Sequence, residues 1–368
     1  MKRGIYWFRN NLRLADNPSF AQACEECDQL LLIYIWEDYR LGEHELGFPL
    51  QSKQRSQFIT ESLSELHESL VEYNQSLHQF LGNPLEIISE LAEDLGIANI
   101  YCTRESGYYE QLQEQQLAAK FKLHSFSDQL LLNRLPFPDY KFPKGFSSFR
   151  KKVEKNLQIR PSIDKPRLQE KIDLANVQNG APNLGERQIH PKTAFPWRSG
   201  ENAGQQRLQD YIWETQQIKR YKFTRNGLLG KDYSTKFSPF LAVGNISPVQ
   251  IYWQVKAFEN EVESNISTYW VLFELLWREF FHWQSRIHGS KFFQAGGIQD
   301  KALELKPNPK LFWKWAKGQT GNDFIDANMR ELNETGFMSN RGRQNAASYL
   351  AHNLKQPWWW GAAYFESL

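Results

Sequence analysis

Cysteine is scarce, with only Cys24, Cys27 and Cys102 among 368 residues, and three thiols cannot supply a disulfide framework for a chain of this length. Cys24 and Cys27 form a CxxC, but no second pair follows, so zinc would lack four ligands and no metal site is expected. No apolar run approaches the roughly 18 to 20 residues that span a bilayer. No charged-then-apolar leader precedes the first strand-like segment at residues 5–8. These absences predict a soluble protein of a reducing, cytoplasmic compartment with no membrane partner. Excess charge is missing too: 44 Lys and Arg nearly cancel 42 Asp and Glu, leaving +2. Bulk charge therefore announces no nucleic-acid binder, and any basic face must be local. Internal repeats and low-complexity tracts are absent.

What the chain does have is length and aromatic mass. At 368 residues it exceeds one ordinary core, so two domains with a cleft between them are the default. Of its 13 tryptophans, eleven follow Phe195; rings that dense mean either a large helical core or a flat conjugated ligand. Residues 4–8, 30–36, 77–81, 97–102 and 122–126 read as short apolar strands. Helix-length stretches at 51–73, 84–95 and 108–121 separate them. Strands alternating with helices predict βαβ crossovers, a parallel sheet and a Rossmann-like α/β domain over 1–130. From 131 to 204 the pattern decays into Pro, Lys and polar residues, including the stretch 177–188. This segment is read as an interdomain connector with one helix at 146–155. After residue 204 the strand signal gives way to 3.6-residue periodicity at 205–214, 248–258, 267–288, 309–316, 324–335 and 340–354. An all-α domain over 205–368 is expected.

Three local features carry chemistry. In Tyr233-Ser-Thr-Lys-Phe-Ser-Pro, Ser238 is a good N-cap and Pro239 a good first helical residue. Ser234, Thr235 and Lys236 add donors suited to a diphosphate, although serine caps alone are common. In the helix through residues 273–283, Glu274, Trp277, Arg278 and Phe281 share one face at i, i+3, i+4 and i+7. A core stripe would not choose charges and a solvated one would not choose these rings. A planar heteroaromatic ligand satisfies both, while a partly buried ion pair flanked by packing aromatics is the plain alternative. Third, the segment 336–350 opens with a turn at Gly336 and caps at Ser339 and Asn340. It then places Arg341 and Arg343 in the first helical turn, against the helix dipole. Such a local conflict marks either two solvated arginines or a pair awaiting phosphate oxygens. None of the eight histidines pairs with a plausible nucleophile, and His282 beside the cavity helix is read as structural.

Taken together, YSTKFSPFLA, DANMRELNETGFMSNRGRQNAASYL and the opening Tyr6-Trp-Phe-Arg-Asn-Asn-Leu-Arg-Leu-Ala-Asp-Asn-Pro resemble photolyases and cryptochromes, in particular the DASH-type cryptochromes. The resemblance runs in order along nearly the whole chain. It implies a U-shaped FAD in the helical domain, with Tyr221 and Ser234, Thr235, Lys236, Phe237 and Ser238 holding its phosphates and ribityl chain. Trp277, Arg278, Asn340 and Arg343 would line the cofactor cavity. The reaction implied is light-driven cleavage of cyclobutane pyrimidine dimers in single-stranded or looped DNA. In it, Glu274 would hydrogen-bond the lesion, Trp277 would stack on it, and Arg341 would take a DNA phosphate. Gln344 stands where ordinary photolyases carry Met and agrees with the DASH type. Glu105 sits where a carboxylate would bind an antenna pterin, 5,10-methenyltetrahydrofolate; a solvated strand-end glutamate is the other reading.

Two departures from the family pattern are visible. The chain stops at Tyr364-Phe-Glu-Ser-Leu, whereas the family continues with a segment carrying an aspartate pair, an asparagine facing the flavin and the tryptophan nearest the ring. A C-terminally incomplete flavin domain is therefore expected. In the tryptophan relay Trp358 matches the middle member, but Leu305 replaces the surface one; Trp313, Trp315, Trp359 or Trp360 are the candidates to substitute. The rival function is a blue-light photoreceptor that binds flavin and nucleic acid without repair. The histidine pair expected of a (6-4) photolyase near Ser339 and Asn340 is absent. A monomer is the expected state.

Overall fold

The computed structural model describes residues 1–172, 174 and 180–368. The part of the predicted connector stretch at 177–179 lies outside the described residues. Five parallel strands alternate with four helices in the first third of the chain: β1 (Arg3–Phe8), α1 (Pro18–Glu26), β2 (Gln29–Glu37), α2 (Lys53–Val71), β3 (Leu77–Gly82), α3 (Pro84–Leu95), β4 (Asn99–Thr103), α4 (Tyr108–Lys120) and β5 (Lys122–Phe126). Their order across the sheet is β3-β2-β1-β4-β5. The expected Rossmann-like sheet is present, with strand ends within two residues of the sequence reading.

Local chemistry explains the boundaries. Asn17 and Asn83 accept from Phe20 N and Leu85 N, and Pro18 and Pro84 follow as first helical residues. Gly96 then ends α3 in the left-handed conformation. One sheet face buries Tyr6, Phe8, Leu30 and Leu32 against Phe20 and Leu63, and the other buries Ile5, Trp7, Ile33 and Ile35 against Ile88 and Leu117. The strand order reverses between β1 and β4, and ligand crevices form at such switch points beyond the carboxyl ends of the strands. There lie the loops carrying Asn10 and Glu105.

The middle segment contributes α5 (Phe146–Lys155), which matches the predicted 146–155, and β6 (Glu170–Lys171), a two-residue strand that pairs with the start of β2. Leu130, Leu131, Leu132, Phe146 and Phe149 join the core of the helical half. That half comprises α6 (Glu201–Gln209), α7 (Tyr221–Thr224), α8 (Ser238–Val243), α9 (Pro248–Glu261), α10 (Ile266–His288), α11 (Pro309–Ala316), α12 (Asp323–Thr335), α13 (Asn340–Ser348) and α14 (Trp358–Ser367). Capping boxes start α9 (Ser247 with Gln250) and α10 (Asn265 with Thr268). The aromatic excess resolves into two packed cores, one around α9 and α10 and one joining α11 to α14 through Phe312, Trp315, Trp360 and Tyr364. Among the described residues, no helix is long and apolar enough to cross a membrane.

Candidate functional site

The 23-residue α10 positions the site because its two faces do different work. Leu272, Leu276 and Glu279 are buried, and the fully buried Glu279 carboxylate accepts from Leu131 N (2.6 Å) and Leu132 N (3.2 Å). Burial lifts its pKa to about 7 against the pull of those amides. The other face presents Glu274, Trp277, Arg278 and Phe281 to a cavity of about 1130 Å³. The same cavity is walled by Tyr221, the whole of Ser234 to Ser238, and Asn340, Arg341, Arg343 and Gln344. Three segments far apart in sequence thus meet around one hollow.

Each side chain has an identifiable environment. Glu274 pairs with Arg225 Nη1 at 2.7 Å, and burial raises its pKa while that guanidinium lowers it. The Trp277 indole lies face to face with Phe146 (3.7 Å between centroids, 11° between planes) and 5.5 Å from Phe281 at 23°. Arg278 Nη1 donates to the Gln129 carbonyl, so it ties the cavity to the N-terminal domain. Ser339 caps α13 by accepting from Gly342 N at 3.0 Å, as its position in the sequence implies. Arg341 reaches Gln344 Oε1 (3.0 Å) and Asn226 Oδ1 (2.9 Å) and forms no ion pair among the described residues. Arg343 lies over the Phe365 ring, and burial lowers its pKa.

The Ser234–Ser238 segment differs from expectation in one respect. Ser238 is the first residue of α8 rather than its cap, Phe237 occupies the cap position with no side-chain bond, and the helix is only six residues long. A short helix has little macrodipole, so an anion there must rely on side-chain donors and loop amides. Lys236 is the notable donor. It is a non-glycine residue at φ 61°, only 2% exposed, with its Nζ lacking a hydrogen-bond partner among the described residues and lying 3.2 Å from the centroid of the Tyr233 ring.

Two predicted residues lie elsewhere. Glu105 is outside the cavity wall and, at 5% exposure, is no solvated strand-end glutamate: Oε1 accepts from Asn10 Nδ2 at 3.1 Å and Gln129 Nε2 at 3.4 Å. Burial raises its pKa while Arg9 opposes the rise. Trp358 begins α14, donates to the Ala295 carbonyl at 3.0 Å, and does not line the cavity. Sequence reasoning missed Arg225 and Phe146. Arg225 stands four residues after Tyr221, one helical turn along the same face, which was a usable signal; nothing local links Phe146 to Trp277.

The wall fits a flavin dinucleotide. Among the described residues the buried Lys236 amine has no hydrogen-bond partner and the Arg341 guanidinium no ion pair, so both can take anionic groups, and the serine and threonine hydroxyls of the wall suit phosphate oxygens. Phe237, Leu241, Val271, Leu275 and Met338 supply apolar wall for a ring system.

Known proteins agree. The DNA photolyase family matches residues 4–169, and the FAD binding domain of DNA photolyase matches residues 270–368. FAD is therefore the cofactor of the helical half. Cryptochrome DASH of Xenopus laevis is 38% identical over 379 residues, covering 99% of this chain and 72% of that protein. Cryptochrome DASH of Synechocystis sp. is 38% identical over 377 residues, covering 99% and 76%. The crystal structure of Synechocystis sp. PCC6803 cryptochrome superimposes with a TM-score of 0.94 over 100% of this chain and 78% of that one, at 38% identity. A bacterial class III photolyase from Agrobacterium tumefaciens shares the fold at a TM-score of 0.79 and 24% identity, covering 100% of this chain and 76% of that one. With relatives this similar along almost its entire length, the chain belongs to the photolyase/cryptochrome family, in the group named cryptochrome DASH.

Proposed function

We propose that this protein uses FAD and blue light to split cyclobutane pyrimidine dimers in single-stranded or looped DNA. The observation that carries the reading is the pairing of Glu274 and Trp277 on the cavity face of one helix. A sensor that only absorbs light has no use for a carboxylate beside an indole in the wall of its flavin cavity. The chemistry that FAD would supply when bound there in its fully reduced form is one electron lent to the lesion on excitation and returned afterwards, so cleavage of the two carbon–carbon bonds would be redox-neutral overall.

The chain's own residues bind and orient. Ser234, Thr235, Lys236 and Ser238, with Tyr221, hold the diphosphate and ribityl chain, and Arg278, Asn340 and Arg343 border the ring. Glu274 accepts from the imide N–H of a flipped pyrimidine, with Arg225 holding the carboxylate ionised and aimed. Phe146 occupies one face of the Trp277 indole, so Trp277 meets the lesion with its remaining face or its edge. Arg341 at the rim takes a backbone phosphate, and Gln344 lies beside it. A damaged pair already stacks poorly, which lowers the cost of flipping, and a single strand lowers it further. Glu105 remains the residue proposed to meet an antenna pterin, since Oε2 has no hydrogen-bond partner among the described residues.

The test is spectroscopic. Purified protein should show a flavin spectrum, and illumination with ultraviolet-treated oligothymidine should restore absorbance in the thymine band. Bound flavin with no restoration would leave the photoreceptor reading.

A further inference from the structure

Lys236 is in a position that proteins avoid. The residue is 2% exposed, and its ammonium would lie without a hydrogen bond among the described residues, above the Tyr233 ring at 3.2 Å and 4.6 Å from the Phe337 ring. Its backbone is left-handed at φ 61°, a strained state for a side-chain-bearing residue. Two aromatic faces offset part of the cost of burying a charge, but an unpaired ammonium away from water ordinarily neutralises instead. The surrounding charges do not compensate. Arg207, on α6, is itself a cation, engaged with Asp210 (2.6 Å) and Asp232 (3.1 Å). Glu331, on α12, does not hydrogen-bond the Lys236 amine, and burial raises its own pKa. Arg343 adds a second cation to the same wall.

We infer that on the alkaline side of neutrality Lys236 stands as an uncharged amine in the flavin-free protein and takes a proton from solvent when the dinucleotide's diphosphate arrives, so that loading of FAD there is coupled to uptake of one proton. The inference rests on reading Ser234 to Ser238 as the diphosphate seat. The diphosphate is a diester that is fully ionised across neutral pH, so the proton has nowhere else to originate. Burial, the largest influence, pushes the Lys236 pKa down to about 7, which agrees with the geometry. The sign follows. Well below pH 7 the amine is already protonated and binding takes up nothing; above it, each pH unit costs about tenfold in affinity until the pKa of the bound state is reached. Proton uptake at Glu331 is told apart by Lys236→Met, which removes the amine and leaves that carboxyl in place.

Flavin-stripped protein titrated with FAD in a calorimeter, in buffers of low and high ionisation enthalpy, reads the proton directly. At pH 8.5 about one proton should enter per FAD, about a quarter of a proton at pH 6.5, and affinity should fall about tenfold between pH 7.5 and 8.5. Lys236→Met keeps the apolar stem; it should bind FAD more weakly, with an affinity indifferent to pH over this range and no uptake at pH 8.5. Equal heats in both buffers at pH 8.5 for the parent protein would overturn the inference, as would uptake that persists in Lys236→Met. Should that variant not fold, the pH profile of the parent decides alone. Failure of the parent to bind FAD at any pH would sink the reading of the seat itself, whereas FAD binding without proton uptake would sink only the coupling.

Discussion

Glu274 answers to two neighbours at once. Desolvation raises its pKa and Arg225 lowers it, with the first effect larger. A carboxylate meant to accept from an imide N–H must be ionised, so repair should fall on acidification at a pH above the ordinary glutamate range. Glu274→Gln keeps the shape, loses the charge-assisted bond, and should weaken binding of dimer-containing oligothymidine by about tenfold or more at neutral pH. The acid limb of the repair profile should disappear with it, and flavin absorbance should be unchanged. If flavin and repair are lost together, Glu274 serves the cofactor rather than the lesion. Glu279, five residues on and facing inward, has the opposite task. Its pKa of about 7 against an ordinary 4.5 means the native state holds a proton that the unfolded chain releases. That stabilisation is full below pH 4.5 and lost as pH rises to 7, about 3 kcal/mol in all. The melting temperature of the parent relative to Glu279→Gln should therefore be higher at pH 5 than at pH 8; a difference that does not change with pH would refute the assignment.

At the scale of the element, α13 shows how a locally poor choice becomes intelligible. Arg341 and Arg343 occupy the first turn, where the dipole disfavours cations, yet both line the cavity. Arg341 is fixed by Asn226 and Gln344 and pairs with no carboxylate among the described residues, an arrangement suited to a phosphate approaching from the rim. Arg341→Ala should lower the salt slope for single-stranded oligonucleotide binding by about 0.7, the share of one phosphate. An unaltered slope would remove it from the DNA surface. The sequence exposed this much because periodicity is local. Glu274, Trp277, Arg278 and Phe281 share a face whatever the helix packs against, and the strands of the sheet betray themselves by length and apolarity. What stayed hidden depends on tertiary approach. Phe146 reaches Trp277 across 131 residues of sequence, and the two-residue β6 has too few side chains to show a period. Ser238 misled because Ser-Pro fits a cap at either of two adjacent positions, and the backbone at Phe237 settles which.

The whole molecule depends on a seam between the two halves. Arg13, fully buried, donates to the Gly244 carbonyl at 2.8 Å and to the carbonyls of Asp16 (2.8 Å) and Asp128 (2.9 Å). Leu12 N donates to the Val243 carbonyl at 3.1 Å, and Asn245 Nδ2 returns a bond to the Leu12 carbonyl at 3.0 Å. The loop after β1 is thereby laced to the turn that ends α8, and α8 begins at the proposed diphosphate seat. Gly244 makes the approach possible: its φ is 79°, and a Cβ there would come within 2.1 Å of the Asn10 carbonyl oxygen and 2.4 Å of the Asn11 Cα, both backbone atoms that cannot swing aside. Gly244→Ala must therefore push the two halves apart as well as strain its own backbone, at a combined cost of about 3 kcal/mol or more. Because the displaced turn carries α8, the loss should appear twice, as a lower melting temperature and as weaker FAD binding in protein that remains folded at low temperature. Saturating FAD should then restore part of the lost stability, since a ligand that binds only the native state favours it by mass action. A lower melting temperature with FAD affinity unchanged would mean that the seam holds the domains together without shaping the cofactor site.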